Sequence, residues 1–347
     1  MIVSAPGRIC LFGEHQDYLG LPVIAMAISL RAIITGRKRV DNQVIIHKPD
    51  LNEYENFSLD DLTYSKSRDY FKSGIIVCQK SGLNFSKGFE CEIKSNIPVR
   101  AGVSSSSAIS TSWIQFLSQI ADVPIKWNQK KIGELAYKSE VEEFNEPGGM
   151  MDQYTASIGN LIYLKTEPDL AIQPLKSKLG KFVLGDSKEP KNTMEILQRC
   201  RSFRLKIIEK LQKNNPGLNL LSCGKEVDLT GLNDNEKFLF EGTIHNRNIL
   251  EKGFIELKKN KMSHKNIGKL LLDQHKVLRD VLQISTPKIE NMLDASMEAG
   301  ALGGKINGSG GGGCMFAYSH RNTEEIAMAI ERTGGKAYII EQDSGVI

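Results

Sequence analysis

Short apolar runs broken by turns fill the opening of the chain. "PVIAMAI" and "RAIIT" read as β-strands and "NQVIIHK" as another, while "GFECEIKSNIP" alternates as a half-exposed strand does. Between these, 51–67 is polar and acidic and reads as a loop or short helix, and "YFKSGIIVCQKSG" reads as helical. The firmest periodicity follows "GVSSSSA": Ile109, Trp113, Phe116, Leu117 and Ile120 share one face of a helix that stops near Asp122–Pro124. A helix over 129–145 turns Ile132, Leu135, Ala136 and Phe144 inward. Glu140 continues the row Ile132–Ala136 at steps of four, which places an acid on or beside an apolar face. After the Pro-Gly-Gly turn in "EPGG" come Asp152, a short helical stretch and a strand, "NLIYLK".

The second half repeats the alternation with longer helices. "LGKFVLGD" is a strand, 188–215 and 234–257 are helices, and 264–301 is helical with a break near Pro287. "KINGSGGGGCMFAY" reads as strand–loop–strand, followed by a helix, "TEEIAMAIERTGG", and a closing strand, "KAYIIE". The polar stretch 165–180 is the expected boundary between two domains. A chain of 347 residues exceeds what one hydrophobic core usually organises.

Composition narrows the function classes. With 40% hydrophobic and 25% charged residues the sequence is that of a soluble globular protein. The net charge of +4 is small and its basic residues are scattered, so no nucleic-acid footprint is expected. Six widely spaced cysteines form no CxxC pair, which argues against zinc or a redox dithiol and for buried thiols. No leader-like N-terminus and no run of about 18 apolar residues is present, so no membrane association and a cytoplasmic location are expected.

Five places carry candidate chemistry. A serine-rich turn opening a helix gathers backbone N–H groups and the positive helix end at one point, which suits phosphate, and its hydroxyls can reach a phosphate-bound metal. Plain helix capping with tight packing is the structural alternative. "GSGGGGC" (308–314) spells G-x-G-x-x-G, but a strand rather than a helix follows it, so close backbone approach is the better reading. Glu14, His15 and Asp17 crowd one turn in "GEHQDYLG", poor metal geometry but suited to hydrogen-bonding a polyhydroxylated substrate. Arg8, beside an apolar run, needs an anionic partner, and Asp152 is the candidate. Such a pair could take a proton from a hydroxyl while the guanidinium supports the charged carboxylate. Glu140, if inward, also needs a partner, and Mg²⁺ is one.

Together "PGRICLFGEHQDYLG", "PVRAGVSSSSA" and "GGKINGSGGGGC" resemble, in order and placement, the three motifs of the GHMP kinase superfamily, and "GEHQDY" and "GGMMDQ" look most like galactokinase. The resemblance implies a two-domain α+β fold: a ribosomal protein S5 domain 2-like N-terminal domain over 1–170 and a ferredoxin-like C-terminal domain over 171–347. It implies a kinase using ATP and Mg²⁺. Asp152 would be the catalytic aspartate and Arg8 its partner. Gly102, Val103, Ser104, Ser105, Ser106 and Ser107 would form the ATP phosphate loop, with Ser106 and Glu140 as Mg²⁺ ligands. Glu14, His15, Asp17 and Gly149 would contact a small-molecule sugar, with the anomeric hydroxyl of galactose or a related sugar as acceptor. A monomer or homodimer is implied. Gln16 stands where galactokinases carry Thr, Leu19 stands near their Asn, and "SKEPKNTMEILQRCR" lacks their sugar-contacting tyrosine. Other acceptors (heptose, sugar acid, mevalonate) and a silent sugar- and ATP-binding regulator are the alternatives.

Overall fold

The computed structural model describes residues 1–99, 101–190, 193–319 and 321–347. It begins with β1 (Ile2–Phe12), which folds back antiparallel on β2 (Val23–Lys38). The runs "PVIAMAI" and "RAIIT" are one strand because β2 has partners along its whole length. β1 lines one flank, while the other is shared by two strands introduced below. Then come β3 (Gln43–Lys48), β4 (Glu53–Ser58), α1 (Tyr70–Lys80), β5 (Phe89–Ser95), α2 (Ser105–Ile120) and α3 (Gln129–Tyr137). A π-turn, Lys138–Glu142, interrupts the single helix expected over 129–145. α4 (Met151–Ile158), β6 (Leu161–Lys165) and β7 (Ala171–Leu175) follow. Among the described residues the first sheet runs β4-β3-β5-β2-β6-β7, with β1 paired to β2.

β4 lies where sequence reading expects a loop or short helix. It is a polar edge strand, paired only with β3, so no buried face imposes an apolar alternation on it. Lys48 reaches Glu53 and Glu55 across the pair.

The second half contains β8 (Lys181–Asp186), α5 (Thr193–Asn214), α6 (Asp234–Leu257), α7 (His264–Lys276), α8 (Pro287–Glu298), β9 (Gly303–Asn307), β10 (Cys314–Tyr318), α9 (Thr323–Arg332) and β11 (Lys336–Glu341). The expected helix 188–215 is therefore α5, with 191 and 192 outside the described residues. A second π-turn, Val277–Val281, precedes the break at Pro287. The second sheet runs β11-β8-β10-β9, antiparallel throughout. That order, with α8 and α9 packed on it, is the expected ferredoxin-like arrangement, and α5–α7 are added in its first crossover.

The chain passes from one sheet to the other between Leu175 and Lys181, since β7 still pairs with β6. A division at 170 would cut that hairpin's connection. The two halves share a core: Ile9, Phe12, Ile24 and Leu250 belong to one buried cluster with Phe182, Phe316, Tyr318 and Ile340. A purely first-sheet core packs Trp113 and Phe116 against Phe89. Residues 342–347 return to the first sheet, where Asp343 N–H donates to Ala27, Val346 N–H to Ser157, and Ser4 and Ile347 exchange backbone bonds. All six cysteines are free and buried. No described helix is long and apolar enough to cross a membrane.

Candidate active site

A cavity of about 430 Å³ opens where β1, the α2 N-terminus, α4, α5 and the β9–β10 loop converge. Arg8 lies on β1 at a register irregularity. Its backbone N–H donates to Val103, which fastens the serine turn onto the strand (3.1 Å). The turn itself uses left-handed backbone at Gly102 (φ 86°) and Ser104 (φ 59°). The first intrahelical bond runs from Ala108 N–H to Ser104, so the N–H groups of Ser105, Ser106 and Ser107 precede the ladder. Gly102, Ser104, Ser105, Ser106 and Ser107 line the cavity. Val103 does not; its side chain is in the shared core, and it serves the loop through its carbonyl.

Sequence reading offers serine as an N-cap, but Ser104 makes no capping bond. Its hydroxyl donates instead to Asp152 Oδ2 (2.5 Å). Arg8 grips the same carboxylate bidentately, Nε to Oδ1 at 2.7 Å and Nη2 to Oδ2 at 2.8 Å. Such a fork is the strong, orienting form of ion pair. Arg8 Nη1 also donates to the Gly102 carbonyl (2.7 Å), which takes a second bond from Asn307 Nδ2 (2.8 Å). One carbonyl thus ties together β1, the serine turn and the glycine-rich loop. Gly308 is pressed against it: a Cβ there would lie 2.6 Å from the Gly102 oxygen. Close backbone approach, the reading preferred for "GSGGGGC", is what β9 and β10 provide.

Glu140 sits in the π-turn, 5% exposed, and lines the cavity. Burial raises its pKa to about 7, against hydrogen bonds from Gln153, Ser106 and Ser107 that lower it. A buried carboxylate beside two hydroxyls is an all-oxygen donor set, which suits Mg²⁺. Among the described residues no cluster of three or more His, Cys, Asp or Glu could cage an ion. Phosphate and water oxygens would have to complete the shell, as is usual for Mg²⁺. The residues therefore fit the ion.

The "GEHQD" turn divides its work. Glu14, 2% exposed, accepts from Lys305 Nζ (2.5 Å) and from Gly308 N–H (2.7 Å), so both its oxygens are engaged inside the protein. His15 Nε2 faces the Ser309 carbonyl (3.1 Å), which can only accept, so this nitrogen carries the proton. Nδ1 is then the acceptor for the Tyr18 hydroxyl (2.9 Å), and Tyr18 in turn accepts from Arg204 on α5. Burial, aided by the Arg204 charge, lowers the His15 pKa to about 3 and keeps the ring neutral. Asp17 is different: half-buried, it lines the cavity, with its pKa raised to about 6 by burial and by the nearby Asp152 charge. It accepts from the Met151 N–H, and a Cβ on Gly149 would collide with its carboxylate.

The structure thus gathers Arg8, Glu14, His15, Asp17, Gly102, Ser104, Ser105, Ser106, Ser107, Glu140, Gly149 and Asp152 around one cavity. Sequence reading passes over Tyr18, Gln153, Arg204, Lys305 and Asn307. The one available signal was Lys305, a lone charge inside the apolar strand "GGKIN". Its burial is complete.

The chain matches a family model for the GHMP kinases N terminal domain over 69–160, one for the GHMP kinases C terminal domain over 254–335, and a galactokinase galactose-binding signature over 1–38. It is similar to a mevalonate kinase of Thermococcus gammatolerans, 30% identical over 354 residues that cover 98% of this chain and 96% of that one. It is similar also to a galactokinase of Pyrococcus furiosus, 29% identical over 330 residues that cover 91% and 88%. The crystal structure of Lactococcus lactis galactokinase complexed with galactose superposes with a TM-score of 0.85 at 22% identity, covering 100% of this chain and 94% of that one.

Proposed function

The chain belongs to the GHMP kinase family, ATP-dependent phosphotransferases with alcohol acceptors, and from that premise we propose that it phosphorylates galactose or a closely related sugar at the anomeric hydroxyl. The observation that carries the sugar reading is Asp17. Its carboxylate is placed against Gly149 and exposed to the same cavity as Asp152. Two carboxylates facing the acceptor favour a neutral polyol, whose hydroxyls donate to them, over an acid such as mevalonate. The galactose-binding signature over 1–38 supports the same choice. Against it stands a mevalonate kinase 30% identical along nearly the whole chain, which makes mevalonate the second reading.

In this reading the N–H groups at the α2 N-terminus hold the β- and γ-phosphates of ATP. Mg²⁺, held by Glu140 and Ser106, would neutralise charge that develops on the phosphoryl oxygens. A carboxylate offers about four acceptor positions. Asp152 uses three on Arg8 and Ser104, leaving one for the proton of the attacking hydroxyl. Arg8 fixes the direction of that acceptor position; the hydroxyl's oxygen attacks the γ-phosphorus as its proton passes to Asp152, and the bond from that phosphorus to the β–γ bridging oxygen breaks so that ADP leaves. Glu14 and His15, saturated by internal partners, shape the wall. Asp17 contacts the sugar.

The test is release of ADP from ATP and Mg²⁺ with galactose, other hexoses, heptoses, sugar acids and mevalonate in turn, followed by NMR location of the phosphate. Galactose or a near relative should exceed mevalonate in kcat/KM by at least about 100-fold, the size of effect expected when a buried charge faces the wrong acceptor. Turnover of mevalonate with none of any sugar would overturn the sugar reading and leave the kinase.

A further inference from the structure

We propose, resting on the kinase reading above, that Gln153 is a positioning residue of the metal site: its amide N–H fixes one oxygen of Glu140, and its carboxamide oxygen receives a water from the ion's shell. Gln153 follows Asp152 on α4, and successive helical residues point about 100° apart. The first faces Arg8 and Ser104; the second faces Glu140. Gln153 is 3% exposed, and its Nε2 donates to Glu140 Oε2 (2.7 Å) and lies 3.3 Å from Ser107 Oγ. Reversing the amide would set oxygen against oxygen at Glu140, so the carboxylate dictates which end faces it.

That choice leaves Oε1 buried and without a hydrogen-bond partner among the described residues, in a side chain that lines the cavity. An unpartnered buried carbonyl is costly, and a methionine or leucine would fill the same volume with no such cost. A donor belongs there. Beside Glu140, Ser106 and Ser107, the donor that fits is a coordinated water, because Mg²⁺ keeps several of its own. Outer partners of this kind orient metal ligands and tune affinity.

The experiment measures Mn²⁺ binding to the protein saturated with β,γ-imido-ATP, with free ion read by electron paramagnetic resonance. Gln153→Met keeps the side chain's volume and removes both polar ends. Its Mn²⁺ affinity should fall about 10–100-fold, while its metal-free affinity for the nucleotide stays at the parent's. A merely structural glutamine would give the converse, a lowered melting temperature with Mn²⁺ affinity within twofold of the parent, and that result overturns the proposal. Should the variant not fold, a crystal structure of the parent with Mg²⁺ and the same nucleotide decides. Oε1 at about 2.7–3.2 Å from a metal-bound water supports the assignment, and Oε1 with neither water nor ion in reach overturns it. A parent that binds no nucleotide overturns the kinase reading and this one with it. A parent that binds Mn²⁺ and nucleotide alongside an unaffected variant overturns Gln153 alone.

Discussion

Arg8 and Ser104 hold Asp152 in one orientation through both its oxygens, so a substitution there tests its charge together with its hold. Asp152→Asn keeps the shape and removes the basic oxygen. Turnover should drop about 10²–10⁴-fold, the usual worth of proton transfer, with ATP and sugar affinities nearly unchanged by calorimetry. Asp17 makes a different prediction through pH. Its pKa of about 6 leaves it charged above that value and protonated below. With Mg²⁺ and ATP saturating, so that the cation holds Glu140 ionised, the kcat/KM for the sugar should therefore be flat above about pH 6 and fall toward tenfold per unit beneath it. Asp17→Asn should lower the plateau and abolish that limb. An acid limb that survives the substitution belongs to another group. At this scale the sequence was legible where a residue's neighbours were local. The serine turn and the "GEHQD" turn stand out as strings. Both partners that saturate Glu14, and the Ser309 carbonyl that faces His15, come from residues some 290 positions away, and no spacing rule reaches them.

Among the elements, periodicity found the helices and central strands because each buries one face. It missed β4, which has no face to bury, and it ran α3 straight through the π-turn that carries Glu140. A π-turn inserts one residue into a helix and leaves the apolar spacing on either side almost intact, so only the structure reveals it. The glycine-rich loop supplies the prediction here. Gly308 has φ 79° and sits against Gly102, so Gly308→Ala faces both backbone strain and collision with the serine turn. KM for ATP should rise by about tenfold or more, since about 1.4 kcal/mol suffices and left-handed strain alone costs of order 1–3 kcal/mol. Acceptor KM should move far less. Equal changes in both would show that the loop holds the whole cavity rather than the nucleotide end.

At the scale of the whole molecule, the buried pair Glu14–Lys305 joins the first sheet's turn to the second sheet. Removing one member leaves a charge stranded: Lys305→Met should cost about 3–5 kcal/mol, and combining it with Glu14→Gln should recover part of the loss. Chemical denaturation with a double-mutant cycle measures this, and an additive double mutant would refute the coupling. The two halves also share apolar packing, so they should unfold together. Both tryptophans, Trp113 and Trp127, lie in the first half, and the helices α5–α9 in the second. Fluorescence and far-ultraviolet dichroism should therefore give coincident transitions.

Residues 342–347 close on Ser4, Ala27 and Ser157, the last of these on the helix that bears Asp152. A ribosome delivers these residues after everything they brace. While the nascent chain is still short of them, α4 lacks its final backbone acceptor pairings and the edge of β1 stands open. Catalytic competence should then wait for these residues, and a stalled chain that lacks them but already contains every cavity residue should remain inert.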